Sequence, residues 1–503
     1  MRIKTILFLL IFSGFETECQ QICDKHLSRE EALVDLNEFK NLIHDNSSYY
    51  RISEYDIDYD ILSLEKYLKN QSKVSLCSFS DSLSRILGEM GDRHSSIRLE
   101  SERFPEEYLP FAVAPYQDSL VLALRFNRDK KEYEFLLDSF QILTSINRTS
   151  IHEILELSDY RDKRAPQSAR FTQRVKNLKD LPEVLHYTGL PYGKENSFTF
   201  SSIDKESDTT ILMPRNYVKA ISWWFPMNGK FIDDYRNQRN GAYDSLFQLT
   251  NSNVGIIAIP SMMDPEDDPN YFSLLHEKMN EFSNTKALVI DVRENGGGSR
   301  HLIDVFSKYF TNPDSKPWVA NVAVARKRID VSSKEITQRL NRRFLIAIDS
   351  NAWNDAEKNA LKNFYTAFSS QRTFDSTLFG KPHAMVFTSG KTSPYYYYDK
   401  PVYILANERT FSAASILVAC FKGFPGVTIA GVTTDGSSGL SIRNYLTNSR
   451  VRVKISTMLS FQRNGETLDT NGTKPDLELK RDRMQVLGQR DTQLESLLQR
   501  IGK

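Results

Sequence analysis

Four short runs in the second half of the chain are apolar at nearly every position: residues 254–260, 287–292, 402–406 and 427–430. A strand with one face in water alternates apolar and polar residues, whereas a run apolar throughout must be covered on both sides. Between and after the runs come segments with helical spacing at 270–282, 301–309 and 412–421. Strands alternating with helices predict a largely parallel α/β core built from right-handed crossovers.

The rest of the chain reads differently. Residues 28–100 are helical in pattern, opening on a capping box of Ser28 and Glu31 ahead of Ala32, Leu36 and Phe39. Short apolar runs at 109–114, 119–124, 134–137 and 141–146, then a short helix at 151–157, predict a small β-rich module. Residues 166–180 are polar and basic and suit a linker, and 195–220 add two strands. Residues 325–395 read as a polar, aromatic insertion with a helix near 354–368 that suits a lid or a docking surface, and its run Tyr395-Tyr396-Tyr397-Tyr398 equally suits a buried edge strand. The resulting division is 1–19, 20–100, 101–175, 176–485 and a C-terminal helix or tail at 486–503.

Charge removes some partners. Lys plus Arg is 65 and Asp plus Glu is 64, so no net field draws in nucleic acid or an acidic membrane. Arg2 and Lys4 precede an apolar run over 6–15 that is too short to span a bilayer, and Thr17 and Cys19 stand at −3 and −1 of a cut before Gln20. This predicts a secretory signal peptide and an exported protein; a buried strand or an anchor is the alternative. After that cut Cys23, Cys77 and Cys420 remain, with Cys23–Cys77 the natural disulfide. No CxxC and too few cysteines argue against a metal site, and no cofactor is implied.

Three segments carry chemistry. In Thr410-Phe411-Ser412-Ala413-Ala414-Ser415, Ser412 opens a helix directly after an apolar strand. Its hydroxyl would lie at the positive end of the helix dipole, with the Ala413 amide aimed at the same place. A plain N-cap is the commoner role for such a serine. Asp291-Val292-Arg293-Glu294-Asn295-Gly296-Gly297-Gly298 ends another apolar strand. Its glycines can turn N–H groups inward as an oxyanion hole or anion nest. A phosphate loop is the rival, without the Gly-Lys-Ser/Thr it requires. Gly91-Asp92-Arg93-His94 offers an imidazole that matters only if the fold carries it to Ser412.

Taken together these segments resemble the C-terminal processing peptidase family, the tail-specific proteases of peptidase family S41, and its tricorn-like relatives. Asp291-Val292-Arg293-Glu294-Asn295-Gly296-Gly297-Gly298 is similar to the family's Asp-Leu-Arg-x-Asn-x-Gly-Gly signature, and Thr410 to Ser415 to its nucleophile segment. Gly431 to Gly436 and Asn471 to Asp476 resemble the two segments that follow. The resemblance implies a crossover-type, ClpP-like α/β peptidase core in an α+β multidomain chain, with an N-terminal helical segment and a small PDZ-like β module. Where one branch carries a dyad lysine this chain has Ser437, and no lysine lies between Lys422 and Lys454. The resemblance therefore implies the Ser-His branch: Ser412 as nucleophile, His94 as base, Asp469 as the acid that orients it. Ala413 with Gly297 or Gly298 would form the oxyanion hole. The partner implied is a polypeptide substrate. The PDZ-like module lacks its usual glycines, with Ser139, Phe140 and Arg148 in their places. The alternative function is an inactive peptide- or ligand-binding protein on the same fold.

Overall fold

The four apolar runs become neighbours in a single six-stranded sheet. Its order is Phe247–Leu249, Val254–Ala258, Ala287–Asp291, Val402–Ala406, Val427–Gly431 and Leu477–Glu478. The first pair is antiparallel and every later pair parallel. Both faces are covered, which explains the unbroken apolar runs. Ile257, Leu288, Ile290, Ile404 and Ile429 face helices Pro269–Glu281, His301–Phe310 and Ala413–Phe421 in the largest core. Val254, Ile256, Val289, Leu405 and Ala430 turn the other way, onto the C-terminal helix Thr492–Ile501. The structure, a computed structural model, describes residues 25–99, 104–158, 165–225, 243–329, 333–369, 375–390, 392–437 and 439–502.

Residues 325–395 are no appendage. His383–Phe387 pairs with Trp318–Ala325, which in turn pairs with Met458–Phe461, in a four-stranded antiparallel sheet. Met385 and Phe387 belong to the main core. Polar helix faces dominate this stretch and mask one five-residue apolar run in the sequence. Tyr395 and Tyr396 form no strand and pack edge-on to Tyr309, at 5.1 and 5.3 Å between ring centroids.

The β module reaches further than residue 175. Five strands of its seven-stranded sheet run Asp208–Pro214, Glu195–Ser201, Ile142–Ile146, Leu120–Asn127, Ala112–Tyr116, with Glu132–Phe135 paired to Leu120–Asn127 and Thr149–Ser150 to Ile142–Ile146, so the strands after 195 belong to it. The expected linker at 166–180 is instead the helix Gln167–Asn177, which buries Ala169, Phe171, Thr172 and Val175. Few of its side chains are apolar, so its charged face hid it from the sequence reading.

The N-terminal unit is the helices Arg29–Asn46, Ile57–Lys69 and Leu76–Gly88. The capping box forms, with the Glu31 amide donating to Ser28 Oγ at 3.2 Å and the Ser28 amide to Glu31 Oε2 at 2.8 Å. Its exit strand, Ser96–Arg98, pairs antiparallel with Arg452–Ser456. That pairing brings the Gly91–His94 turn to the C-terminal half of the chain. Cys77 is disulfide-bonded; Cys23, like the expected signal segment 1–19, lies outside the described residues. Among the described residues no helix is long and apolar enough to cross a membrane.

Candidate active site

Ser412 sits where the strand Val402–Ala406 turns into the helix Ala413–Phe421. The turn is stitched to the glycine-rich loop beside it. Thr410 Oγ1 donates to the Val292 carbonyl at 2.9 Å, and the Phe411 amide to the Asn295 carbonyl at 2.9 Å. Held at both ends, Ser412 adopts φ 54° and ψ −125°. A non-glycine residue there is strained, and such strain persists where surroundings over-determine it. The same kind of sharp strand-to-helix turn exposes a serine hydroxyl above a sheet. Ser412 makes no side-chain cap bond, so the N-cap role is not taken up.

The hydroxyl meets an imidazole instead. His94 Nε2 lies 3.4 Å from Ser412 Oγ, 318 positions apart in sequence. That spacing suits a nucleophile–base pair without substrate. Phe411 stacks on the imidazole with centroids 5.2 Å apart. The turn carrying His94 is anchored by Asp92, which is almost fully buried. Asp92 Oδ1 accepts from the His94 amide at 3.0 Å and from Ser456 Oγ at 2.9 Å. Its Oδ2 accepts from the Ser456 amide at 3.3 Å and from Ser95 Oγ. Arg93 Nη2 pairs with Asp435 Oδ2 at 3.1 Å, tying the turn to the loop that carries Ser437.

That loop departs from the expected triad. His94 Nδ1 lies 2.5 Å from Ser437 Oγ, so among the described residues the side-chain partners of His94 are Ser437 and Ser412 rather than Asp469. Asp469 is fully buried in a neighbouring place, where burial and then the charges of Asp469 and Asp92 push the Tyr49 phenol well above its usual range. With Nδ1–H given to Ser437 Oγ, Nε2 is left to accept the proton of Ser412. Burial, then the charges of Lys454, Arg343, Arg93 and Arg300, pull His94 down to about 3. The imidazole is therefore neutral across the ordinary pH range.

The glycines divide the remaining work. A Cβ on Gly297 would lie 2.6 Å from Ser412 Cβ, and one on Gly298 would lie 2.2 Å from the Met262 carbonyl oxygen. Side chains are thus excluded from both positions. The Gly297 amide donates to Asn295 Oδ1 at 2.8 Å, and Asn295 Nδ2 to the Ile259 carbonyl at 2.7 Å. Gly297 is thereby engaged in the loop itself. Among the described residues the amides of Gly298 and Ala413 have no acceptor. A cavity of about 480 Å³ opens beside them, lined by Met262, Gly298, Arg300, Arg343, Ser412 and Ile416 among others.

Sequence reasoning brought Ser412, His94, Ala413 and the glycines to notice. It registered Ser437 only as the place of a missing lysine, and it missed the Asp92–Ser456 anchor, Asn295 and the cavity arginines. The position of Ser437 after Gly436 was a usable signal. The anchor had none, because Asp92 and Ser456 are 364 positions apart. Among the described residues no group of His, Cys, Asp and Glu is arranged to hold a metal ion.

Comparison with known proteins agrees with this geometry at the level of family and fold. Residues 253–479 match the family described as Peptidase family S41. Mature CPAF shares the fold with a TM-score of 0.64 at 16% identity, over 94% of this chain and 97% of that one. Its complex with lactacystin gives 0.64 at 16%, over 94% and 99%. A putative peptidase from Parabacteroides merdae gives 0.50 at 14%, over 94% and 97%. No curated protein matches the chain.

Proposed function

We propose that this chain, which belongs to peptidase family S41 and is a serine-type peptidase, cleaves peptide bonds through an acyl-enzyme on Ser412 with His94 as the base. The observation that carries the reading is the 3.4 Å approach of His94 Nε2 to Ser412 Oγ. His94 takes the hydroxyl proton as Oγ attacks the scissile carbonyl carbon. The Gly298 and Ala413 amides receive the oxyanion that forms, each such donor lowering the barrier by about 3 kcal/mol. His94 then hands the proton to the leaving amine, and water, activated by the same imidazole, releases the acyl group. Ser437 holds the tautomer in the position where Asp469 was expected, and Asp469 takes a supporting place behind Tyr49.

The N-terminal 1–19 segment fits export of the mature chain, so the substrate would be a polypeptide met outside the cytoplasm. One observation favours the rival reading of an inactive peptide binder: a hydroxyl rather than a carboxylate on His94 Nδ1. A fluorophosphonate probe separates the two. The peptidase reading expects labelling of the folded protein that is lost in Ser412→Ala. A folded protein that is not labelled favours the binder.

A further inference from the structure

Two arginines, Arg300 buried and Arg343 half-buried, line the cavity beside Ser412, and among the described residues neither forms an ion pair with a carboxylate. Arg300 is 5% exposed. Its Nη1 reaches only Asn321 Oδ1 at 3.3 Å and the Arg343 carbonyl at 3.5 Å. Arg343 Nη1 reaches the Arg339 carbonyl at 2.8 Å. Among the described residues no further acceptor serves either guanidinium, and no acid pairs with them. Burial and then Arg343 push Arg300 down to about 9, and burial and then Arg339 push Arg343 down to about 10. A buried cation without its counter-charge is unfavourable, and a guanidinium fork is built to take a carboxylate through two parallel N–H bonds.

Of the acids in and beside the cavity lining, two are paired with cations. Asp264 pairs with His301 at 3.2 Å, and Glu266 with Arg342 at 3.4 Å. Asp268 accepts from the Tyr243 hydroxyl at 2.7 Å. Asp267, also in the lining, is exposed to solvent. The cavity lining therefore holds two arginines with no ion-pair partner among the described residues, whereas Asp264 in the same lining is paired with His301.

Resting on the peptidase reading, we infer that this cavity is a specificity pocket for an acidic substrate side chain, an Asp or Glu flanking the scissile bond, held by Arg300 and Arg343. The position follows from the lining, since Ser412, Ala413 and Gly298 form one wall of the same cavity. A carboxylate arriving there neutralises two of the charges that hold down the basicity of His94. The right substrate thus also improves the base.

The test uses the full chain and internally quenched peptides alike except for Glu, Asp, Gln or Lys beside the cleaved bond, with cleavage sites read by mass spectrometry. The expected kcat/KM for Glu or Asp exceeds that for Gln by about 10- to 100-fold, the range for a hydrogen bond to a charged group. In Arg343→Gln the Glu-to-Gln ratio falls to within about threefold of one, and Arg343→Lys restores part of it. Equal rates for Glu and Gln, or preference for Lys, overturn the inference. Each peptide is run with a free and an amidated chain end. Selectivity that follows the chain-end carboxylate and ignores the side chain also overturns it. Fluorophosphonate labelling is measured on the same samples. Labelled protein without acidic preference sinks this inference alone, whereas unlabelled protein sinks the peptidase reading and this inference with it.

Discussion

The nucleophile and the base reach the site by opposite routes. Ser412 and the glycine loop stand at the ends of adjacent parallel strands, Val402–Ala406 and Ala287–Asp291, so the sheet register alone sets them side by side. His94 comes from outside that sheet. It hangs on a turn between the helix Leu76–Gly88 and the strand Ser96–Arg98, fixed by one buried carboxylate, one strand pairing and the Arg93–Asp435 ion pair. The first half of the site is as rigid as the core. The second depends on two distant parts of the chain staying docked. A catalytic pair built this way can keep an intact nucleophile turn and still lose activity when the docking fails.

Substitutions that strike one half should therefore behave unlike those that strike the other. Gly298→Ala strikes the rigid half, placing a Cβ against the Met262 carbonyl at a φ of +140°. We expect kcat to fall by about 10²- to 10³-fold, because the clash displaces one amide from its place as an oxyanion donor. A rate within threefold of wild type would remove Gly298 from the oxyanion hole. Asp92→Asn strikes the docked half. The new amide turns a donor toward donors, costing about 1–3 kcal/mol of stability in denaturant unfolding. Activity should fall further than the lost stability explains. If stability drops while the residual folded protein stays fully active, the anchor is not what positions His94.

Ser437→Ala removes the acceptor on His94 Nδ1 and is expected to lower kcat by about tenfold with little change in KM. That is far less than the ~10⁴-fold typical when a carboxylate in that position is lost. Ser437→Asp should raise the pKa of His94, shifting the acid limb of kcat/KM upward. No shift would mean that Nδ1 does not face this position. The smallest effect concerns pH. Because burial and four cations pull His94 down to about 3 in the folded chain, kcat/KM should hold steady from neutral pH to well below the usual histidine range. The unfolded chain, with histidine near 6.5, binds the extra proton between those two values. The stability linked to His94 is thus complete above the unfolded value and is lost as pH falls toward the folded one. A kinetic limb near 6.5 would contradict this burial.

The contrast also explains what the sequence could reveal. The strands and helices around Ser412 are local patterns, and residues 402–406 and 301–310 stand out because each is apolar in the rhythm its structure requires. The helix Gln167–Asn177 has a helical rhythm but only three apolar side chains to carry it, Ala169, Phe171 and Val175, and read as a linker. His383–Phe387 was hidden by the polar stretches on either side, although it lies inside a sheet. Of the site, motif spacing marked the two loops and the histidine turn. It could not show that Ser437 rather than Asp469 meets His94, because a hydrogen bond between loops leaves no periodicity. Nor could it show two arginines without acids, since unpaired charge is a property of packing.

The central claim is that one imidazole, delivered by the N-terminal unit, activates the Ser412 hydroxyl. The direct measurement is the second-order rate constant for fluorophosphonate labelling of wild type and His94→Ala, with folding of both checked by circular dichroism. A fall of about 10³-fold or more with Ser412 still the labelled residue is the predicted result. Labelling of folded His94→Ala at the wild-type rate would contradict it and assign the activation of Ser412 to some other group.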